Sequence, residues 1–359
     1  MSPLGGEIAA IIAQEGPISV ERYMALALSH PVHGYYMTRE PFGAAGDFVT
    51  APEISQMFGE LLGLWAAEAW ALTGAPSPVR LVEIGPGRGT MMKDALRAAK
   101  VSQQFYASLD VHLVETSPRL MAEQRGTLAA SGLEVAWHAG IADVPDGPAI
   151  ILANELFDAL PVRHYVRTAA GWCERCVGLD ANGALAFGVS REPEPSIRNE
   201  AREGAVLEIS AAGYRLASML AARLAAQGGA MLVVDYGHTE TGIGATLQAM
   251  RDHQFVDPLA DPGLADLTAH VDFAALARAA RAQGLDVQGP VTQGAFLREL
   301  GIFERAAALR QRATPQQVLA LDAALQRLTL GGAGMGELFK AMALCPRGTP
   351  VMPGFAGVA

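Results

Sequence analysis

The chain has only three cysteines among its 359 residues, at Cys173, Cys176 and Cys345. A sparse, odd set of thiols is typical of a reducing compartment and excludes a disulfide scaffold. The Cys-x-x-Cys spacing of the first two has the form of a zinc-ligand pair. A closed structural zinc site needs four ligands, however, and the sequence has no second such pair. We therefore expect no metal, and we interpret the pair as ordinary thiols in a hairpin.

Positive charge and long apolar runs are also scarce. The 27 Lys and Arg residues against 37 Asp and Glu residues give a formal charge of −10. A nucleic-acid-binding protein usually has a basic balance, because phosphate neutralisation supplies most non-specific affinity. The sequence predicts no membrane span, since no run of 18 apolar residues lacks a charge. It begins with neither a signal peptide nor an Arg-rich presequence, so we expect a cytoplasmic protein.

Short apolar segments alternate with amphipathic helices in the middle of the chain. This alternation predicts an α/β fold with a parallel, doubly wound sheet. The segment 149–153 is continuously apolar, which is typical of a strand that is buried on both faces. The predicted strands are 79–84, 111–114, 133–137, 149–153 and 230–235.

A glycine-rich turn follows the first of these strands, with the sequence Glu83-Ile84-Gly85-Pro86-Gly87-Arg88-Gly89-Thr90. Glycines let a backbone approach a ligand closely, and the next helix offers free N–H groups at its start. A dinucleotide-binding fingerprint would require glycine where Thr90 stands. The spacing instead resembles motif I of class I methyltransferases. That resemblance implies that Gly85, Gly87 and Gly89 hold the methionine part of S-adenosylmethionine, with Glu83 near its ammonium group.

Polar residues end the neighbouring strands, where ligands bind in open α/β sheets. Glu115 is placed to accept hydrogen bonds from both ribose hydroxyls, although a lone Glu is normally a solvated surface charge. The loop 138–143 would flank the adenine, which makes His138 a cofactor-binding candidate. Asn154, after the fourth strand, completes the predicted cofactor set.

Two carboxylates, Glu155 and Asp158, follow at the edge that would face the sulfonium. They would share one face if the segment turned helically. Alternatively, Asp158 caps a helix and Glu155 is solvated. Enzymes that methylate the amino groups of nucleic-acid bases carry an Asn/Asp-Pro-Pro-aromatic motif here, and its absence disfavours a base as substrate.

Several motifs, spread in order along nearly the whole chain, together resemble the MidA family. This family comprises class I methyltransferases related to the mitochondrial complex I assembly enzyme, which is described as a protein arginine methyltransferase. The resemblance implies a class I, Rossmann-like fold, a protein arginine as methyl acceptor, and a peripheral-arm subunit of respiratory complex I as partner. The motifs are 46–55, 83–89, 154–161, 235–238, 266–273, 292–294 and 335–340.

An arginine acceptor sets a specific chemical demand. The guanidinium is protonated and has no free lone pair, so the reacting nitrogen must be oriented and relieved of a proton. Planar carboxylates match the guanidinium fork. Glu155 is the first choice for this carboxylate, with Asp158 and Asp47 as further catalytic candidates. A turn Asp such as Asp47 also commonly bonds to local backbone.

Four further residues are substrate-side candidates: Tyr35, Phe48, Asp235 and His238. Tyr35 would belong to a lid over the cofactor, or else to the apolar core. His238 follows a buried strand and is equally consistent with a proton acceptor and with a hydrogen-bonded loop residue.

We expect four segments along the chain. Residues 1–75 form a helical lid segment, 76–161 the cofactor-binding core, and 162–228 a β-rich insertion with a return helix. Residues 229–359 complete the core and carry a substrate-side insertion at 238–271. This insertion has no clear periodicity, which is typical of a functional loop.

Three other functions are alternatives. Large insertions would suit a small-molecule methyltransferase as well as one that acts on a polypeptide. A non-catalytic assembly factor that retains a cofactor pocket is disfavoured by the intact glycine loop and the paired acids. A dinucleotide oxidoreductase is disfavoured by Thr90.

Overall fold

The computed structural model describes residues 2–39, 50–332 and 334–357. The first part of the chain contains α1 (Pro3–Glu15), β1 (Ile18–Ser19), α2 (Val20–Ser29), α3 (Tyr35–Thr38), α4 (Ala51–Ile54), α5 (Gln56–Leu72), β2 (Val79–Ile84), α6 (Thr90–Ala99), α7 (Gln103–Ser108), β3 (Leu109–Val114), α8 (Pro118–Leu128), β4 (Val135–His138), a 3-10 turn (Ile141–Asp143) and β5 (Ala149–Asn154).

The second part of the chain continues from the end of β5. It contains β6 (Arg163–Thr168), β7 (Gly171–Leu179), β8 (Leu185–Pro193), β9 (Val206–Ile209), α9 (Ala211–Gln227), β10 (Gly229–His238), β11 (Gln248–Arg251), β12 (Gln254–Val256), β13 (Asp266–Thr268), β14 (Val271–Asp272), α10 (Phe273–Ala282), β15 (Leu285–Thr292), α11 (Gln293–Glu299), α12 (Ile302–Arg310), α13 (Pro315–Thr329) and β16 (Phe339–Pro346).

The chain divides into two compact units. The accessory unit contains the described residues of 2–39, 157–216 and 240–272. The core unit contains the described residues of 50–156, 217–239 and 273–357.

The core unit is built on a seven-stranded path in the order β15-β16-β10-β5-β2-β3-β4. The five strands from β10 to β4 are parallel, whereas β16 runs antiparallel to β10 and β15. All six residues of β5 are buried, as its apolar sequence predicts. The doubly wound α/β sheet expected from the sequence is therefore confirmed. The strand order reverses between β2 and β5, and such a reversal opens a crevice at the carboxyl ends of the strands.

The helix α5 packs against α6 at two glycines. A Cβ on Gly63 would lie 2.4 Å from the carbonyl oxygen of Ala95, and one on Gly59 would lie 2.8 Å from Cβ of Asp94. Only glycine permits this close approach. The contact fixes α6, and with it the turn from which α6 starts, against the core.

An ion-pair network holds α5 to α6 and α12. Glu60 is 5% exposed, and its Oε1 accepts hydrogen bonds from Arg97 Nη2 and Arg305 Nη2, both at 2.9 Å. Its Oε2 accepts from Arg305 Nε at 2.8 Å. Burial alone would raise the pKa of Glu60, but the hydrogen bonds and charges of the two arginines outweigh it, so the pKa lies below its usual 4.5.

The accessory unit combines helices with two small sheets. β7 pairs with β1, β6 and β8, and β6 also pairs with β9. Residues from α1, α2, β7 and β13 share one apolar cluster, which includes Ile8, Tyr23, Val177 and Leu267. Cys173 and Cys176 stand three residues apart on β7, so they face opposite sides of the strand. Among the described residues, no group of three or more His, Cys, Asp and Glu side chains could hold a metal ion.

The insertion 238–271 contains regular structure, contrary to the loop that the sequence predicts. Its central part forms a three-stranded antiparallel sheet in the order β12-β11-β13. Asp252 and His253 form the two-residue connection between β11 and β12, with φ of 51° and 59°. Two successive positive φ angles define a type I′ turn, which normally carries Asn-Gly or Asp-Gly. Asp-His lacks that signature, so the hairpin is not visible in the sequence.

No helix in the described part of the chain is long and apolar enough to cross a membrane.

We predict that Glu60→Gln destabilises the protein by about 1.5–3 kcal/mol near neutral pH, because it removes hydrogen bonds to two charged groups. A carboxyl group whose pKa is lowered by folding stabilises the native state above its unfolded pKa, and that contribution is lost as the pH falls through the folded value. The difference in unfolding free energy between wild type and Glu60→Gln should therefore shrink below pH 4.5. Urea unfolding at several pH values measures it, with the exposed Glu134→Gln as control. A difference that stays constant down to the acid range would contradict this account.

Candidate active site

The glycine-rich turn connects β2 to α6 in a conformation that requires glycine. The φ angles of Gly85, Gly87 and Gly89 are 68°, 52° and 78°. Side chains with a Cβ rarely adopt this left-handed region. Gly89 is the residue that precedes α6, and its N–H donates to the carbonyl oxygen of Pro86 at 2.8 Å. The loop therefore presents backbone rather than side chains at the carboxyl end of β2.

Glu83 lies inside the end of β2 and is 2% exposed. Burial raises the pKa of its carboxyl group to about 8, against an opposing hydrogen bond from the backbone of Met92. Its Oε2 atom has no hydrogen-bond partner among the described residues. A buried acceptor of this kind suits a ligand that brings a charged donor.

Glu115 follows β3 and is also buried. Its Oε1 accepts hydrogen bonds from the backbone N–H groups of Thr116 and Ser117, both at 2.8 Å. Its Oε2 accepts from Gln124 Nε2 at 3.1 Å. Burial raises the pKa of Glu115, while these donors act in the opposite direction. The carboxylate is thus held in one orientation at the tip of its strand.

Gln124 is a residue that the sequence reasoning missed. It is fully buried on α8, and its Nε2 donates to the carbonyl oxygen of Gly87 at 2.7 Å as well as to Glu115. Its Oε1 accepts from Trp137 Nε1 at 2.9 Å. One amide side chain therefore ties the glycine loop to the ends of β3 and β4. A glutamine within a helix carries no recognisable motif.

His138 ends β4 next to Glu115. Its carbonyl oxygen accepts from the Glu115 N–H at 2.9 Å, and its Nε2 lies 2.9 Å from Nδ1 of the buried His112. Burial and then the neighbouring His112 lower the pKa of His138. The residue is close to the tip of β3, and its predicted contact with adenine stays a prediction.

Asn154 is the last residue of β5 and Glu155 follows it, on the opposite side of the strand-order reversal from β2. Asn154 is 9% exposed, and its Oδ1 lacks a hydrogen-bond partner among the described residues. Glu155 has a φ of +49°, which is costly for a residue with a long side chain. Its Oε1 accepts from the Ala51 N–H at 3.1 Å and from Asn154 Nδ2 at 3.2 Å.

Asp235 supports this turn from the neighbouring strand β10. It is fully buried, and its Oδ2 accepts from the Leu156 N–H at 3.1 Å while its Oδ1 accepts from the Tyr236 N–H at 2.9 Å. These contacts favour a role in fixing the backbone after Glu155. His238 is half-buried at the end of β10. The substrate-side roles of both residues stay predictions.

The helical turn considered for 155–158 does not form. Glu155 has a left-handed backbone, and the following residues make a turn in which the Leu160 N–H donates to the carbonyl oxygen of Phe157. Glu155 and Asp158 therefore do not share a helical face, although they are three residues apart. Asp158 is buried in the accessory unit, and its carbonyl oxygen accepts from the Ala269 N–H at 2.9 Å.

Of the candidates Tyr35, Asp47 and Phe48 in the first part of the chain, the structure describes only Tyr35. Tyr35 is fully buried in the apolar cluster of the accessory unit, which favours the core-packing alternative. Its neighbour Tyr36 donates its hydroxyl to both carboxylate oxygens of Asp266, at 3.0 and 3.2 Å. Removal from water and the nearby carboxylates raise the pKa of Tyr36 well above its usual range. Asp47 and Phe48 lie outside the described residues.

Two features of the core unit define the class of the protein. Its strand order is that of class I methyltransferases, with the antiparallel strand β16 inserted between β10 and β15. The glycine-rich turn after β2 and the acids at the strand ends lie at the edge where such enzymes bind their cofactor.

Comparisons with known proteins agree. Residues 61–291 match a family model described as "Putative S-adenosyl-L-methionine-dependent methyltransferase". The chain is 41% identical over 330 residues to "Protein arginine methyltransferase NDUFAF7, mitochondrial" of Danio rerio, which covers 84% of this chain and 77% of the relative. The protein of the same name from Homo sapiens is 36% identical over 362 residues, covering 93% of this chain and 81% of the relative.

Two crystal structures of COG1565 superfamily proteins from Burkholderia thailandensis match almost the entire chain. The structure bound to S-adenosyl-homocysteine is 32% identical, has a TM-score of 0.86, and the match covers 98% of this chain and 94% of the other. The native structure has a TM-score of 0.83 at the same identity and coverage. The chain therefore belongs to this family of S-adenosylmethionine-dependent methyltransferases, of the MidA type, and S-adenosylmethionine is its cofactor.

We predict that Glu115→Ala weakens S-adenosylhomocysteine binding about 10- to 100-fold, as expected for lost hydrogen bonds to a charged group. Calorimetry should compare this ligand with its 2′-deoxyadenosyl analogue on both proteins. If Glu115 holds the ribose hydroxyls, the variant will no longer distinguish the two ligands. Glu134→Ala is the matched control. A variant that still discriminates as strongly as wild type would show that the hydroxyls bind elsewhere.

We also predict that cofactor binding releases a proton from Glu83. Its pKa of about 8 leaves it protonated at neutral pH, and a nearby ammonium group favours the charged carboxylate. Affinity for S-adenosylmethionine should therefore rise with pH up to about 7.5, beyond which the cofactor's own amine begins to titrate. Calorimetry in two buffers of different ionisation enthalpy counts the protons. The Glu83→Gln variant should release fewer protons, and equal release from both proteins would exclude Glu83 as the source.

Proposed function

We propose that this enzyme methylates an arginine side chain of a protein. The support from sequence is that relatives which match 84–93% of the chain carry the name protein arginine methyltransferase. The support from geometry is the carboxylate of Glu155, which accepts hydrogen bonds from the Ala51 N–H and from Asn154 Nδ2 and follows β5 on a left-handed backbone. Backbone strain of this kind persists only where the surrounding structure enforces it, and it often marks a functional site.

We propose that the cofactor lies across the carboxyl ends of β2, β3 and β5. The fit rests on two buried acceptors, Glu83 Oε2 and Asn154 Oδ1, which have no partner among the described residues. Glu83 and Asn154 belong to the neighbouring parallel strands β2 and β5. An amino-acid ammonium group would supply the donors that such atoms need. The backbone of 85–89 would pass beside the methionine part, and Glu115 would accept from the ribose.

The proposed reaction determines what Glu155 must do. When bound, S-adenosylmethionine supplies a methyl group on a positively charged sulfur. One guanidinium nitrogen of the substrate gains this methyl and loses a proton, and the sulfur becomes a neutral thioether. The carboxylate of Glu155 would hold the guanidinium plane, stabilise its charge, and accept the departing proton. A fixed orientation supplies much of the rate, because the nitrogen must lie in line with the bond that breaks.

We further propose a peripheral-arm subunit of respiratory complex I as the protein substrate. This partner is what the resemblance to the MidA family implies. The negative formal charge of −10 suits a substrate segment that presents arginine. The cytoplasmic location expected from the sequence stays a prediction, and the names of the curated relatives assign those proteins to mitochondria.

We predict that Glu155→Gln lowers turnover about 100-fold or more while it leaves S-adenosylhomocysteine affinity nearly unchanged. The substitution keeps the size and one acceptor oxygen but removes the charge that orients the guanidinium, and misplaced reacting groups cost rates of this order. The assay measures initial rates of tritiated methyl transfer to purified peripheral-arm subunits, at saturating cofactor.

Two controls make this result specific. Glu134→Gln removes an exposed carboxylate and should retain wild-type turnover. Asp158→Asn tests the second catalytic candidate in the same assay. If Glu155→Gln turns over as fast as wild type, Glu155 is not the orienting group. A large loss in Asp158→Asn alone would transfer that role to Asp158.

A further inference from the structure

The four-residue helix α4 contacts two parts of the candidate site. One contact is with Glu155, the proposed catalytic carboxylate, and the other is with Thr90, which directly follows the glycine-rich turn 85–89. The N–H of Ala51, its first residue, donates to Glu155 Oε1 at 3.1 Å. The side chain of Glu53, two residues later, accepts a hydrogen bond from Thr90 Oγ1 at 2.5 Å. All of these residues belong to the core unit.

Glu53 is anchored to the turn that carries the glycines. Its Oε2 lies 3.6 Å from Arg88 Nη1, and its side chain is only 16% exposed. Arg88 is itself paired through Nε with Glu123 on α8, at 2.5 Å. Thr90 is the first residue of α6, which is held against α5 by the close glycine contacts. Glu53, which accepts the hydrogen bond from Thr90, is therefore attached both to the start of α6 and to Arg88 in the glycine-rich turn.

The helix α4 cannot hold its own position. A single helical turn is unstable in isolation, so its place depends on contacts with α5, α6 and α13. The orientation of the Ala51 N–H then depends on how α4 is attached. The bond from Thr90 to Glu53 is a short, partly buried attachment, and it joins α4 to the start of α6, next to the glycine-rich turn 85–89.

Thr90 does not serve as an ordinary helix cap. The residue before α6 is Gly89, and no side chain caps the helix. The Thr90 hydroxyl is directed to Glu53, which lies 37 residues earlier in the chain. A threonine at this place thus has a long-range partner rather than a local one.

We propose that Glu53 and Thr90 are positioning residues which, through α4, hold the Ala51 N–H against Glu155 and so orient its carboxylate. This inference rests on the proposed role of Glu155. It assigns a function to the Ala51-Pro52-Glu53 motif, and it links the cofactor loop physically to the group that receives the methyl acceptor. Glu53 and Thr90 do not contact the acceptor in this arrangement. They act on the rate by fixing where the carboxylate lies.

The test compares three variants of the full chain with S-adenosylhomocysteine bound. Thr90→Val keeps the shape and removes the hydroxyl, Thr90→Ser keeps the hydroxyl, and Glu53→Gln removes the charge. Hydrogen exchange of the Ala51 amide, followed by NMR, reports the attachment without any methyl acceptor. Thr90→Val and Glu53→Gln should speed this exchange, whereas Thr90→Ser should remain close to wild type.

Turnover at saturating S-adenosylmethionine supplies the second readout. Thr90→Val and Glu53→Gln should each lower kcat about tenfold, with recovery in Thr90→Ser, because small displacements of a reacting group reduce rates strongly. A residue that acts only through Glu155 should have no further effect once the carboxylate is gone. The double variant Glu53→Gln/Glu155→Gln should therefore be no slower than Glu155→Gln.

The outcomes separate this proposal from the proposed function. Unchanged Ala51 exchange in Thr90→Val overturns the positioning role, whatever the activity of Glu155→Gln. The positioning role is also overturned if the double variant is slower than Glu155→Gln by the same factor that Glu53→Gln alone shows. Glu53 would then affect the rate independently of Glu155. If Glu155→Gln turns over at the wild-type rate, Glu155 has no catalytic role. The proposed positioning of its carboxylate by Glu53 and Thr90 is then overturned as well.

Discussion

The site depends on one physical constraint, which is that polar groups buried at the ends of parallel strands must find partners. Glu83 and Asn154 each bury an acceptor atom that the described part of the chain leaves unpaired. Such atoms destabilise a protein unless a ligand satisfies them. Their position on either side of the strand-order reversal supports the proposal that a cationic, donor-rich cofactor binds there.

The surrounding structure keeps that edge rigid. Gln124 joins the glycine loop to Glu115, so that the loop and the tip of β3 keep a fixed separation. Asp235 holds the backbone that follows Glu155, and α4 supplies a donor to the Glu155 side chain. These groups come from α8, β10 and α4, which are far apart in sequence. Methyl transfer requires fixed geometry between the donor and the acceptor, and in the site that we propose these contacts would provide it on the enzyme side.

Much of the sheet and the cofactor edge could be predicted from sequence, because the relevant signals are local. Continuous apolar segments mark β5 and β10, a short, largely apolar segment before the glycines marks β2, and a glycine-rich turn followed by acids at strand ends marks the proposed binding edge. The supporting contacts could not be predicted. The bond from Gln124 to Gly87 and the bond from Thr90 to Glu53 each span 37 residues, and neither pair forms a recognisable motif. The hairpin at Asp252 and His253 was missed because its turn lacks glycine.

A guanidinium nitrogen is the proposed methyl acceptor, and amino-acid analysis of the labelled product identifies the residue that receives the methyl group. The wild-type enzyme is incubated with tritiated S-adenosylmethionine and purified complex I peripheral-arm subunits, and the protein is then hydrolysed to amino acids. We expect the label to elute with methylated arginine. Label in methylated lysine, or label that remains in small molecules with none in protein, would contradict it.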